Sequence, residues 1–220
     1  MLNIIVVGSS GHAKVVVDII ERERKFNIVG FCDSFRSVGE ETAGYQVLGS
    51  EQDLPDLISK YAIMGAIVAI GDNSIRLKVT SAIRVICPDL KFVSAIHPSS
   101  SIGKGVVIGE GTVVMAGAVV NPHSRVGDFC ILNTLSSLDH DSVLGDFASL
   151  APGVRTGGSC RIGKLSAIGI GAVLVHNICV GEEAVIGAGS TVMKDVDSLV
   201  VAYGTPAKMI RKRESGERYL

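Results

Sequence analysis

From Ile96 onward one residue in six is aliphatic, in a register that holds for 17 successive steps. The series runs Ile96, Ile102, Ile108, Val114, Val120, Val126, Leu132, Leu138, Leu144, Leu150, Thr156, Ile162, Ile168, Leu174, Val180, Ile186 and Val192, and only Thr156 departs from it. The next residue is glycine nine times, among them Gly103, Gly127, Gly157 and Gly187. The residue four further on is Ser, Thr, Ala, Cys or Val at every place except Ile178. A helix repeats every 3.6 residues and a strand every two, so neither explains this spacing. Period six reads as a parallel β-helix of hexapeptides, each a short strand and a turn. The aliphatic residue points into the coil, glycine eases the turn that follows, and the small residue fills space between layers.

Composition follows from that reading. The chain of 220 residues has 26 glycines, no tryptophan and 10 aromatics. Sixteen of the glycines, but only Phe129 and Phe147 of the aromatics, lie in residues 96–197. A narrow coil has no room for inward rings. Phe129 and Phe147 differ by 18 residues; if three hexads make one turn, they stack on one outward column about 4.8 Å apart. A subunit interface and an acceptor contact both fit such a pair.

Residues 1–95 read differently. Leu2–Val7, Ile28–Cys32 and Ile63–Ile70 are apolar runs, a helical pattern with Val15, Val16, Ile19 and Ile20 follows the first, and a second helix is expected over Ser74–Ile86. Lys91–Ile96 is expected as one last strand entering the repeat. Alternation of this length implies a small Rossmann-like parallel sheet. Ligands bind such sheets at the carboxyl ends of the strands. Polar clusters stand at all three: Gly8–His12, Asp33 and Gly71–Asn73. The first is a strand-to-helix turn whose N–H groups suit a phosphate. It lacks the G-x-G-x-x-G dinucleotide spacing.

Lysine and arginine number 21 against 22 acidic residues, which argues against nucleic-acid binding. No apolar run reaches 18 residues, and the start has no signal-peptide pattern, so a cytoplasmic protein is expected. Cys32, Cys87, Cys130, Cys160 and Cys179 form no C-x-x-C pair, so they are expected as small buried hydrophobes, with no metal.

The repeat resembles the left-handed parallel β-helix of hexapeptide acyltransferases, in which three hexads make a triangular coil and three chains a homotrimer with active sites between subunits. The whole chain resembles the sugar O-acyltransferase, sialic acid O-acetyltransferase NeuD family, and within it the PglD-like UDP-4-amino-sugar N-acetyltransferases. The resemblance rests on the strand–G-x-x-G-H opening, on Ala69-Ile70-Gly71-Asp72-Asn73 with Arg76, and on the Asn133–Asp141 segment. It implies a nucleotide-sugar domain over 1–95, an acetyltransferase coil over 96–197, and a tail over 198–220.

By position, Gly8, Ser10, Gly11 and His12 would meet phosphates or sugar, Asp33 and Ser34 the uridine, and Gly71 and Asn73 the same substrate. Arg76 is either part of that set or a solvated helix residue. His140 would be the general base, with Asn133 and Asp141 beside it; aspartate stands where the family pattern has glutamate, and Asp139 is the alternative support. Acetyl-CoA would touch Ser149, Ile170 and Ala188. The family's second histidine, nine residues after the base, is here Ser149. The tail holds Tyr203-Gly204-Thr205-Pro206-Ala207-Lys208, similar to the family's G-x-P-A-K ending. Its basic cluster, Lys208 included, would neutralise the coenzyme phosphates or lie on a solvated helix capping the coil. The implied activity is acetyl transfer from acetyl-CoA to the 4-amino group of a UDP-linked 4-amino-4,6-dideoxy sugar, or to a hydroxyl of sialic acid or another sugar. A non-catalytic nucleotide-sensing scaffold is the third alternative.

Overall fold

The computed structural model describes residues 1–219; Leu220, the last residue of the expected tail, lies outside them. The chain opens with β1 (Leu2–Val7), α1 (Gly11–Glu23), β2 (Phe26–Cys32), β3 (Glu41–Thr42), β4 (Tyr45–Gly49), α2 (Leu54–Tyr61), β5 (Gly65–Val68), α3 (Asn73–Ile86) and β6 (Lys91–Phe92). The sheet order is β3-β4-β2-β1-β5-β6, and only β3 runs antiparallel to its neighbour. β1 lies inside the sheet, which is why Ile4–Val7 is apolar without alternation and wholly buried. α1 buries Ala13, Val16, Val17, Ile19 and Ile20, whereas Val15 faces out. α3 is capped by Asp72, whose Oδ1 accepts the Ile75 amide at 2.9 Å.

The expected strand Lys91–Ile96 is two strands. β6 belongs to the first sheet and Ala95–Ile96 to the coil. The chain turns between them at Val93-Ser94, where the Ser94 hydroxyl donates to the Gly109 carbonyl at 3.0 Å.

The second part is a left-handed parallel β-helix of two-residue strands in three sheets. Its register is 18 residues up to the last coil: Val113 pairs with Ile131, Ile131 with Ser149, Ser149 with Ala167, and Ala167 with Val185. The aliphatic series from Val114 to Val192 forms the interior. Glycine one place later serves the stacking of coils. A Cβ on Gly163 would meet the Glu182 amide and the Gly181 carbonyl carbon at 2.6 Å. The left-handed turn residue is two places further on, and Phe129 (φ 54°), Asp141 (φ 57°) and Phe147 (φ 58°) occupy it without being glycine.

The small residues do more than fill space. The buried Ser124 hydroxyl donates to the Asp139 carbonyl at 2.7 Å and accepts the Ser142 amide at 3.2 Å, which staples consecutive coils. Ser166 makes the same pair of bonds to the Gly181 carbonyl and the Ala184 amide. Cys130 and Cys160 take this position as well and are buried. Cys179 is the exposed thiol, a correction to the expectation that all five are buried.

Phe129 and Phe147 stack with centroids 4.9 Å apart. Their partner is neither another subunit nor an acceptor. Phe92 of the first sheet packs edge-on against Phe129 at 5.0 Å, and both rings are buried under the chain's own α/β layer. The tail is a β-hairpin, Val200–Gly204 with Ala207–Lys212, rather than a helix. Its first strand extends the sheet that contains Val185–Ile186, so the open end of that sheet is covered by backbone pairing.

Candidate active site

His140 stands at a corner of the coil, with its side chain about half exposed (53%). The left-handed conformation of Asp141 turns its short carboxylate back, and Oδ2 lies 2.8 Å from His140 Nδ1. A carboxylate only accepts, so Nδ1 carries the ring proton and Nε2 keeps its lone pair. The hydrogen bond to Asp141 is the main cause that raises the His140 pKa above its ordinary value, and the charges of Asp139 and Asp141 add to it.

Asp139 has a separate task. Its Oδ1 accepts the Asn121 side-chain amide at 2.6 Å and the His140 backbone amide at 2.8 Å. The Asn121 bond is the first cause of its lowered pKa. Asp139 therefore fixes the turn, and Asp141 orients the ring. One coil on, Thr156 breaks the aliphatic series. Its hydroxyl accepts the Asp139 amide at 2.9 Å, a bond the backbone ladder makes elsewhere.

The His140 ring extends over Gly158, where a Cβ would lie 2.5 Å from both Cε1 and Nε2. His176, two coils away, accepts the Gly158 amide at Nδ1 (2.9 Å) and makes no direct pair with His140. His97 is tied to Ser99 at the junction.

A cleft of about 310 Å³ runs along a different corner of the coil. Asn133, Ser149, Ile170 and Ala188 line it, and its roof is His12, Gly71 and Tyr219. Asn133 accepts the Thr134 amide at Oδ1 (2.8 Å). Lys208 is exposed on the hairpin and does not line the cleft. Within one chain Asn133 and His140 occupy successive corners, separated by one side of the coil, up to roughly 23 Å for the seven residue steps between them at about 3.3 Å each.

A second cavity, about 300 Å³, opens at the carboxyl ends of β1 and β2 and includes Gly8, Ser9, Ser10, Asp33, Phe35 and Glu51. Ser10 and Gly11 are exposed at the start of α1. Asp33 is largely engaged: Oδ2 accepts Ser9 through its amide (2.8 Å) and hydroxyl (2.6 Å), and Oδ1 accepts the Phe35 amide (2.9 Å). Ser34 hydrogen-bonds Glu51. Phe35 stands fully exposed at the mouth.

Two residues of the Gly71–Arg76 segment lie elsewhere than expected. Asn73 is wholly buried; its amide donates to the Leu165 and Ser166 carbonyls (3.2 and 3.1 Å), and its Oδ1 accepts Arg76. It joins the two layers, and its side chain has no polar atom free for a ligand. Arg76 is wholly buried and not solvated. It donates to the carbonyls of Phe129, Ile70, Gly71 and Phe147 and to Asn73 at 2.7–2.9 Å. Beside it, His12 is held neutral, its pKa lowered to about 4 by burial and then by the Arg76 charge. Its Nε2 is buried without a hydrogen-bond partner.

Cys32 and Cys130 have thiol pKa values pushed up to about 12, chiefly by burial, which leaves them unfit as nucleophiles. Among the described residues no three His, Cys, Asp or Glu side chains cluster as metal ligands. No helix there is long and apolar enough to cross a membrane. The sequence reading missed Tyr219, Glu51 and Phe35. Asn121 was within reach, since it precedes Asp139 by the same 18 residues that pair Phe129 with Phe147.

Comparison with known proteins settles the family. The profile of the PglD N-terminal domain matches residues 3–83. PerB of Caulobacter crescentus, solved with CoA and GDP-perosamine, is 32% identical with a TM-score of 0.88 over 95% of this chain and 97% of that one. The chain belongs to the PglD-like family of hexapeptide-repeat sugar acetyltransferases. Another solved member, the acetyltransferase domain of PglB from Neisseria gonorrhoeae, is 33% identical with a TM-score of 0.88 over 96% of this chain and all of that one. That PglD-like domain is also solved with acetyl coenzyme A. A serine acetyltransferase of Buchnera aphidicola is 33% identical over 127 residues, 57% of this chain and 43% of that protein. The chain spans a third to a half of the length of the curated relatives it matches.

Proposed function

We propose that the protein transfers an acetyl group from acetyl-CoA to the 4-amino group of a nucleotide-linked 4-amino-4,6-dideoxy sugar. The observation that carries this reading is His140: an exposed imidazole whose proton is held at Nδ1 by Asp141, so that Nε2 is free to take a proton. The amine nitrogen attacks the thioester carbonyl, the C–N bond forms, the C–S bond breaks, and CoA leaves as the thiolate. His140 accepts the amine proton. Asn133, in the cleft, supports the same centre.

The cleft at Ser149, Ile170 and Ala188 takes the coenzyme, and Lys208 serves its phosphates. The loop of Gly8, Ser10 and Gly11, with Asp33 and Ser34, holds the sugar nucleotide, while His12 and Gly71, expected with it, line the coenzyme cleft. Residues 1–95 thus bind the acceptor, 96–197 the donor and base, and 198–220 cap the coil. Because His140 and the coenzyme cleft occupy different corners of one coil, a second copy completes the site. A trimer brings one chain's base to its neighbour's cleft, and proximity then supplies much of the rate.

UDP is the nucleotide implied by the family resemblance. A GDP-sugar is the second reading, because PerB is solved with GDP-perosamine. Mass-spectrometric assay of acetyl-CoA with UDP-, GDP- and dTDP-linked 4-amino sugars and with free sialic acid tests the proposal. Acetylation of a nucleotide amino sugar is expected. Acetylation of free sialic acid alone would overturn it, and UDP-sugar binding without any turnover would favour a sensing scaffold.

A further inference from the structure

Beyond the hairpin the chain folds back as a strap along the coil. Arg213 donates from its backbone to the Leu199 carbonyl (2.9 Å) and from Nη1 to the Glu183 carbonyl (2.7 Å). The Glu183 carboxylate accepts the Ser215 hydroxyl (2.7 Å) and the Gly216 amide (2.8 Å). Arg211 pairs with Glu217 at 2.6 Å. These bonds hold residues 211–217 in place, and the strap then delivers Tyr219 into the cleft that Ser149 and Gly71 line.

The phenol is poorly satisfied there. Its Oη lies 3.3 Å from Ser149 Oγ and 3.4 Å from the Gly71 carbonyl, both well beyond the usual 2.7–2.8 Å of O–H···O bonds. The Gly71 carbonyl already accepts Arg76 at 2.9 Å. On the same wall His12 Nε2 is buried with no partner. Two under-satisfied side chains from distant parts of the chain, converging on one cleft, mark a place where a ligand supplies the missing partner.

We propose that Tyr219 contacts the acyl group, its hydroxyl donating a hydrogen bond to the thioester carbonyl of the bound donor. This rests on the coenzyme reading of the cleft given above. Three features select that atom. Burial raises the Tyr219 pKa, so the phenol stays protonated and can donate. A thioester carbonyl only accepts. The rest of the cleft is largely apolar, with Ile131, Ala167, Ile168 and Val185, which suits an acyl thioester better than a polyhydroxylated sugar. Ser149 stands beside the phenol, so a hydroxyl pair occupies the place where the family resemblance puts a histidine.

The test is calorimetric binding of CoA and of acetyl-CoA to the full chain and to Tyr219→Phe, which keeps the ring and its packing. Free CoA keeps its two amide carbonyls but lacks the thioester carbonyl. The substitution is expected to leave the CoA Kd unchanged and to weaken acetyl-CoA about fivefold, the value of one ordinary hydrogen bond. With an acceptor that the unsubstituted protein acetylates, kcat falls by roughly 10–100-fold, as for loss of a donor to a developing oxyanion. Equal weakening of both ligands, or no change in either, overturns the role of Tyr219 alone. Failure of the unsubstituted protein to bind CoA overturns the coenzyme reading of the cleft and this inference with it.

Discussion

The Arg76 guanidinium donates to the Phe129 carbonyl at 2.8 Å, across 53 residues of chain, and so ties the α/β sheet to the coil. It is fully buried with no carboxylate partner; four carbonyls and one amide oxygen surround it. Arg76→Met should fill the space while leaving those acceptors short of donors. We expect a loss of about 3–5 kcal/mol, as when one partner leaves a buried charged network. Urea unfolding measures this, and a change below about 1 kcal/mol would contradict the assigned role.

Asp141 sets the acid limb of the rate profile. It raises the His140 pKa, and the base works only when Nε2 is unprotonated. Rate therefore rises with pH through the His140 pKa. Asp141→Asn removes the charge, lowers that pKa and moves the acid limb of kcat/KM to lower pH, with a lower plateau. A limb that stays in place or moves upward would exclude Asp141 as the partner.

Gly158 is the seat of the His140 ring. A Cβ there meets the far end of the imidazole at 2.5 Å, so the ring has to move. Gly158→Ala should lower kcat at least tenfold, because a base must reach its proton within hydrogen-bond distance. The coil should survive, as the displaced group is a partly exposed side chain. Unchanged kcat would show that the ring is not held there during reaction.

His12 links stability to acid. Its folded pKa of about 4 lies below the ordinary 6.5, so the unfolded chain binds the proton first. Its contribution is complete above pH 6.5 and is lost as pH falls toward 4, on the order of 3 kcal/mol in all. His12→Asn should flatten the stability–pH curve in that window. An unchanged slope between pH 6.5 and 4 would show that His12 is not buried neutral.

Much of the coil was legible because period six is written in residues that face the interior. Leu138 and Leu150 announce themselves by what they bury. His140 was legible through its neighbours Asp139 and Asp141, although their division of labour was not, since it depends on the left-handed turn at Asp141. Arg76 and Asn73 misled for a physical reason. Polar residues after a strand end look like ligand groups, and only the docking of the coil against α3 shows that they satisfy carbonyls from residues 129–166. Tyr219 left no trace, because its place is set by Glu183 and the strap, outside any repeat.

The most direct test of the account is the turnover of His140→Ala with acetyl-CoA and the nucleotide amino sugar that the unsubstituted protein acetylates best. The account predicts that kcat falls by roughly 10²–10⁴-fold, the usual general-base contribution, with the oligomeric state and CoA binding unchanged. Turnover close to that of the unsubstituted protein would contradict it.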